Sequence, residues 1–170
     1  EGFRMVGQVE PIINEQAVTE RGFVYGLDIV RNPSGDVDHN ITDADMVVGS
    51  NLTYVRSYAS TSEGTIGHKE GNTYVGYKMG NSDTATYFAR TMTFGKKNKA
   101  AFASSYRVRV YAKLANNEYV YSDIYDFTVY DIAKALYDGC LMNTFANHEY
   151  LYNTIISKVD TEPETVPFEF

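Results

Sequence analysis

The stretch YRVRVYAKLANNEYVYSDIYDFTVY, residues 106–130, decides the fold class. It holds no proline or glycine, and its first part alternates with a period of two, as a half-buried strand does. One face of this strand takes Tyr106, Val108, Val110 and Ala112, and the other takes Arg107, Arg109, Tyr111 and Lys113. The polar segment LANNE predicts a turn, after which the chain returns with aromatic and β-branched residues. The stretch therefore predicts a β-hairpin with Tyr106 facing inward and Tyr111 facing outward among basic side chains.

Similar alternation marks further strands elsewhere in the chain. The predicted strands cover residues 3–9, 18–27, 53–60, 73–79 and 86–94. Turn-rich segments separate them: EPIINEQ, RNPSGDVDHN, STSEG, GNSD and GKKNKA. Short strands with frequent turns and no interleaved helices favour a mainly β, antiparallel sandwich over a parallel α/β sheet.

The pattern changes to a helical period after residue 130. Apolar residues fall on one stripe around Ile132 and on a second around Ile155, which predicts a helical hairpin over 131–158. Asp131 is expected to cap the first helix, Gly139 to end it, and Asn143 or Thr144 to open the second. Residues 159–170 are predicted as an extended tail, and residues 1–130 as the β module, with a long insertion at about 32–99.

Two segments resemble a known family. VTERGFVYGL (residues 18–27) and SYRVRVYAKLANNEYVYS (residues 105–122) resemble the fibronectin type III-like modules of bacterial surface proteins, in which a T-E-R-G-F-x-Y strand precedes a Y-x-V-R-x-Y-A hairpin. The segment YDIAKALYDGCLMNT is similar to the end of large cell-surface proteins of gut-dwelling Firmicutes, which follows immunoglobulin-like repeats. The resemblance implies an immunoglobulin/fibronectin III-like sandwich in an extracellular, wall-attached or secreted bacterial protein. It implies no catalytic residues.

Composition excludes several functional classes. The chain has 170 residues and a formal net charge of −7, and Lys96, Lys97 and Lys99 form its only tight basic cluster. A nucleic-acid partner is not expected, because phosphate binding needs a broader basic face. The acidic balance favours a soluble monomer. The single cysteine, Cys140, excludes an intramolecular disulfide and a cysteine-built zinc site. No apolar run has the length of a membrane-spanning helix.

The segment GDVDHNITDADMVV, residues 35–48, raises the question of a cation site. Asp36, Asp38 and Asn40 have the alternate spacing of the first three ligands of a calcium loop. The loop lacks the central glycine and the acidic twelfth residue of that pattern. The alternative is a surface turn followed by a helix that Thr42 caps, with Asp45 at the third position of a capping box. No cofactor is predicted, and calcium at this loop stays an open alternative.

No catalytic pattern accompanies these features. The three histidines, His39, His68 and His148, lie far apart in the sequence, and no metalloprotease or serine-hydrolase motif includes them. The sequence therefore predicts that the chain is not an enzyme. An enzyme site assembled from the long middle segment is the least favoured alternative.

The predicted binding residues follow from the outward face of the hairpin: Tyr111, Tyr119, Tyr121, Arg107 and Arg109. Tyrosine and arginine together suit protein or glycan contact, and they also form ordinary cross-strand ladders that shield a sheet. We therefore expect a non-catalytic extracellular module that acts as a spacer, adhesion or protein-contact domain. The alternative is a carbohydrate-binding module of a larger secreted enzyme.

Overall fold

The structure is a computed structural model that describes residues 2–27, 41–61, 63–70, 73–93, 99–139 and 145–161. Its strands are β1 (Gly2–Gln8), β2 (Ile12–Ile13), β3 (Gln16–Leu27), β4 (Val55–Ala59), β5 (Gly64–Glu70), β6 (Thr73–Met79), β7 (Tyr87–Thr93), β8 (Tyr106–Leu114), β9 (Tyr119–Tyr121) and β10 (Tyr125–Phe127). Its α-helices are α1 (Lys99–Ala103), α2 (Val129–Asp138), α3 (Phe145–Leu151) and α4 (Ser157–Thr161). A 3-10 turn spans Asp43–Asp45, and a π-helical turn over Tyr152–Ile156 joins α3 to α4. The prediction of a mainly β fold is confirmed.

The strands form two sheets. The first has the order β1-β7-β6-β5, with antiparallel β1–β7 and β5–β6 pairs and one parallel contact between Met79 and Tyr87. The second is built on the antiparallel β3–β8 pair, in which Phe23 lies opposite Val110 and Leu27 opposite Tyr106. β3 carries β2 and β4 on its other edge, and β8 carries β9 and β10 on its other edge. Strands β4 to β7 all come from the segment predicted as an insertion, and β7 is the described neighbour of β1.

The hairpin that the alternation predicts is confirmed. β8 runs through residues 106–114, and Asn117 takes a left-handed conformation (φ 70°) in the turn before β9. The returning strand is interrupted between β9 and β10. There the Val110 amide donates to the Ser122 hydroxyl, and the Ser122 amide donates to the Val110 carbonyl, at 3.0 Å each. A side chain thus replaces one bond of the ladder, and the strand continues beyond the break.

The two sheets pack against each other through the face of β8 that was predicted to point inward. Phe23 of β3 and Phe88 of β7 meet with ring centroids 4.8 Å apart. The buried residues of this inter-sheet core are Met5, Val9, Val18, Phe23, Phe88, Ala112 and Leu114. Farther along the same face, the helices pack against β8 in place of the first sheet and cover Tyr106. Tyr106 is 1% exposed, so the prediction that it faces inward is confirmed. This helical core contains Leu27, Ala101, Phe102, Tyr106, Val129, Ala133, Leu151, Ile155 and Ile156.

The opposite face of the β3–β8 pair is also covered. Ile41 and Met46, from the segment before β4, pack against Val24, Val55 and Tyr111 in a third core. Residues 21–27 of β3 are consequently all buried, although the sequence alternates along this strand. The central strands therefore behave like those of a sheet covered on both sides.

The helical segment differs from its prediction in two places, at the start of its first helix and after residue 158. The Asp131 amide donates to the Thr128 hydroxyl at 2.9 Å, so Thr128 caps α2 and Asp131 belongs to its first turn. Gly139 ends α2, as predicted. Residues 159–161 continue α4, so the predicted tail is wrong there, and its remainder lies outside the described residues.

Strand β5 and helix α1 were not predicted, so one helix does interrupt the succession of strands.

Gly22 is required by the close approach of β4 to β3. A Cβ atom at this position would lie 1.9 Å from the carbonyl oxygen of Tyr58 and 2.8 Å from the Tyr111 ring. We expect Gly22→Ala to lower the free energy of unfolding by about 3 kcal/mol, because the backbone of a paired strand must shift. Urea denaturation provides the measurement.

The matched control is Gly49→Asn. Gly49 has φ +75°, a conformation that asparagine tolerates, and a Cβ there meets nothing within 4 Å. The control should change stability by less than about 1 kcal/mol. Equal losses in the two variants would show that the close approach at Gly22 is not the cause.

Candidate binding face

The predicted binding residues come together on the side of β8 that faces away from the inter-sheet core. We call this surface the ladder face and define it by Arg107, Arg109, Tyr111, Lys113, Tyr119 and Tyr121. Tyr111 lies opposite Tyr121, and Lys113 lies opposite Tyr119, across the β8–β9 pair. The predicted proximity of Tyr111, Tyr119 and Tyr121 is thus present, with ring centroids 5.9 Å apart for Tyr111–Tyr119 and 6.3 Å for Tyr119–Tyr121.

Tyr111 is not exposed, and the prediction of its exposure is wrong. It is 2% exposed because Gly22 leaves room for its ring and the third core covers it. Its hydroxyl donates to the Glu20 carboxylate at 2.8 Å. Burial first, and then this bond to Glu20, raise the pKa of the Tyr111 phenol above its ordinary value. Tyr111 therefore packs under the ladder face and is not available for contact with a ligand.

Glu20 was missed as the partner of Tyr111. The β3–β8 register shifts between Val18 and Glu20, where β3 carries an extra residue. This bulge lets Val18 point into the inter-sheet core while Glu20 points to the opposite face. A strict period of two would place Val18 and Glu20 on the same face of the strand. The sequence VTERG contains no residue pattern that predicts the bulge.

Arg107 holds the covering segment in place. Its guanidinium donates to Asp126 and Asp43 at 2.8 Å each and to the Ile41 carbonyl at 2.6 Å. Thr42 donates to the Asp45 carboxylate through its amide and its hydroxyl, which lower the Asp45 pKa. The predicted capping box at Thr42 is thus confirmed, on a single 3-10 turn. Arg107 and this box fix the segment that covers Tyr111.

Arg109 and Lys113 lie against the two tyrosines of β9. The Arg109 guanidinium carbon is 4.0 Å from the Tyr121 ring centroid, and the Lys113 ammonium is 5.8 Å from that of Tyr119. Arg109 is half-buried, its Nε has no hydrogen-bond partner among the described residues, and burial lowers its pKa. The Tyr121 hydroxyl accepts from the Val48 amide at 3.1 Å, whereas Tyr119 is 37% exposed. The accessible end of the ladder face is therefore Tyr119 with Lys113.

The remaining site predictions fall largely outside the described part of the chain. Asp36, Asp38, Asn40 and His39 all lie there, so calcium at that loop stays a prediction. Within the described ranges, no three histidine, cysteine or acidic side chains group as a metal site requires. His148 lies in α3 beside Tyr137, with ring centroids 4.8 Å apart. None of the described helices is both long enough and apolar enough to cross a membrane.

Comparisons with known proteins add no relative. The chain matches no protein-family model, no curated protein and no solved structure.

Tyr111→Phe tests the buried hydroxyl. We expect the free energy of unfolding to fall by about 1 kcal/mol at neutral pH, because the bond to Glu20 is lost. The raised pKa adds a pH dependence: an unfolded tyrosine ionises above its ordinary pKa of 10, while folded Tyr111 stays protonated. Wild-type stability should therefore fall as pH rises above 10, and less steeply in Tyr111→Phe. Tyr119→Phe, at an exposed position, is the control and should change neither quantity.

Arg107→Met tests the attachment of the covering segment. We expect a loss of about 2 kcal/mol in unfolding free energy, because the Ile41 carbonyl and two carboxylates lose their donor. Asp43 is largely exposed, so a double-mutant cycle with Asp43→Asn should give a coupling below about 1 kcal/mol. Arg4→Met, which removes an exposed arginine on β1, is the control. A loss no larger than that of the control would contradict this role of Arg107.

Proposed function

We propose that the chain is a non-catalytic module that contacts another protein through the ladder face, as part of a secreted or surface-attached bacterial protein. The observation that carries this proposal is the pairing of Tyr119 with Lys113 and of Tyr121 with Arg109 at a sheet edge. Tyrosine and arginine are enriched in protein interfaces, where their large flat side chains bury area at low entropic cost.

The edge position supports a protein contact. β9 pairs with β8, and no second strand lies beside it among the described residues. Tyr125 of β10 lies on the same edge and is 64% exposed. Tyr119 and Tyr125 are thus exposed at one edge but on opposite faces of the sheet, because Tyr119 lies opposite Lys113 and Tyr125 opposite Val108. The edge itself supports a protein contact, since sheet edges are frequent sites of peptide and protein addition.

The charges on the ladder face favour an acidic partner. Arg109 and Lys113 form no ion pair with the described residues, although the chain as a whole carries a net charge of −7. The charge of Asp43 acts on Arg109 without an ion pair, so carboxylates of a partner would be the direct ion-pair partners of Arg109 and Lys113.

The geometry favours a protein over a stacked sugar. A carbohydrate-binding platform needs free ring faces, but Arg109 lies on one face of Tyr121. Among the tyrosines of the ladder face, Tyr119 is the most exposed, and its nearest cation, Lys113, lies at the longer distance of 5.8 Å. A carbohydrate-binding module of a larger enzyme is therefore the second candidate, resting on Tyr119.

The extracellular bacterial setting rests on the family resemblance. The two resembling motifs form β3 and β8, which lie side by side at the centre of the second sheet. Motifs that define the fold of a family are expected in the central strands of its sheet, as β3 and β8 are here. This placement supports the finer proposal of a fibronectin III-like module.

The test compares binding by the wild-type chain and two variants. The chain is screened against purified extracellular proteins and a glycan array, and each ligand found is titrated against Tyr119→Ser and Lys113→Ser. We expect a protein ligand whose Kd rises about tenfold in both variants, because each removes an interface contact. The matched control is Tyr77→Ser, since Tyr77 on the first sheet is also 37% exposed.

Three results would contradict the proposal. Protein binding that is equally strong in both ladder-face variants would exclude this surface. Glycan binding that depends on Tyr119 would favour the carbohydrate-binding alternative. Mass spectrometry of the recovered ligand completes the test, because a covalent change in it would show that the module is catalytic.

A further inference from the structure

A buried arginine lies between the two sheets. Arg21 belongs to β3, is 5% exposed, and its Nε and Nη1 atoms have no hydrogen-bond partner among the described residues. Its guanidinium carbon lies 5.4 Å from the ring centroid of Phe88. Burial lowers its pKa, yet an arginine side chain stays charged in proteins. Proteins rarely leave a buried charge unpaired, because its lost hydration is not compensated.

A second arginine lies on the same aromatic cluster. Arg90 follows Phe88 by two residues on β7, and its guanidinium carbon is 4.2 Å from the Tyr58 ring centroid. Tyr58 of β4 lies opposite Phe23, whose ring packs on Phe88. Arg90 makes no hydrogen bond or ion pair with the described residues, and its side chain is exposed. The cluster thus carries a buried charge at Phe88 and an exposed charge at Tyr58.

Tyr58 lies among a hydrogen-bond donor and two guanidinium groups. Its hydroxyl lies 3.1 Å from the Tyr25 hydroxyl, and the two rings stack at 5.3 Å with an angle of 7°. The bond from Tyr25, followed by the bond and charge of Arg56 and the charge of Arg90, lowers the Tyr58 pKa. Of these causes, the charges of Arg56 and Arg90 would also act on an added oxyanion.

These groups lie at an open side of the two sheets. β4 pairs with β3 alone, and β7 beyond Tyr87 pairs with β1 alone, within the described residues. We call the side chains of Arg21, Arg56 and Arg90, together with Tyr58, the arginine edge. Tyr58 and Arg56 lie on β4, which pairs with β3, whereas Tyr119 and Tyr121 lie on β9, which pairs with β8, so the two surfaces reach opposite edges of the second sheet.

We propose that the arginine edge binds an oxyanion, a carboxylate or sulfate group, with Arg21 and Arg90 as its ligands. Guanidinium groups bind such oxyanions through paired N–H donors, and the buried donors of Arg21 have no other described acceptor. The Tyr58 ring already stacks with Tyr25 and contacts Arg90, so we expect recognition here by charge and not by stacking. This site is independent of the function proposed for the ladder face.

The test uses sodium sulfate and sodium glucuronate as the two probes. At constant ionic strength set with sodium chloride, either probe should raise the Tm of the wild-type chain with a saturable dose dependence, because it binds the folded state. A response to sulfate identifies the sulfate form of the ligand, and a response to glucuronate identifies the carboxylate form.

Two variants locate the site. Arg21→Met replaces arginine with a shorter, unbranched and uncharged side chain and should abolish the Tm response. Arg90→Gln, at an exposed position, should leave the fold intact and raise the Kd of the probe about tenfold by calorimetry, as expected for one charge-assisted contact. Arg4→Met, an exposed arginine on the outer face of β1, is the matched control and should keep the full response.

Three results would overturn the proposal. The first is a Tm response to sulfate and glucuronate that equals the response to chloride. The second is a response that survives unchanged in Arg90→Gln. The third is an equal loss of response in Arg4→Met, which would reveal general charge screening. Since Arg90→Gln does not disturb the core, the proposal remains testable even if Arg21→Met fails to fold.

Discussion

The constraint on which the rest of the structure depends is the burial of the β3–β8 pair on both faces. Lateral hydrogen bonds satisfy the backbone of these strands, so each can lie in the interior when apolar groups cover both sides. β1 and β7 cover one part of the first face, the helices cover its continuation, and the segment before β4 covers the second face. Three small cores therefore share a single pair of strands.

This burial explains why arginine and tyrosine occur together in the chain. Charged side chains on doubly covered strands must be paired or laid against polarisable groups. Arg107 is paired with two carboxylates, Arg109 lies on Tyr121, and Arg21 lies on Phe88. An aromatic ring can thus cover a strand and accommodate a neighbouring cation at once. The tyrosines serve the architecture first, and the two proposed binding surfaces arise where such pairs reach an open edge.

Most strands, and the helical change after residue 130, were predictable because local alternation and helical spacing reflect one dominant burial direction. Strand β5 was missed because glycines interrupt its pattern. Yet a Cβ at Gly67 would lie 2.1 Å from the Val75 carbonyl, so this glycine serves close pairing with β6. The cap at Thr42 was predictable from the local sequence. At the start of α2, both Thr128 and Asp131 are residue types that cap helices well. The burial of Val129 in the helical core decided that the helix begins after Thr128.

The sequence by itself determined that the chain forms a mainly β structure, that residues 106–127 fold back on themselves, and that Tyr111, Tyr119 and Tyr121 lie together. Period, turn residues and adjacency along a hairpin are all local properties. The tertiary structure alone decided which of these tyrosines is exposed, because a segment some sixty residues away covers Tyr111 and leaves Tyr119 uncovered. It also decided that Arg21 lies buried, with no hydrogen-bond partner for its Nε and Nη1 atoms in the described ranges, since the sheet that encloses it comes from distant parts of the chain.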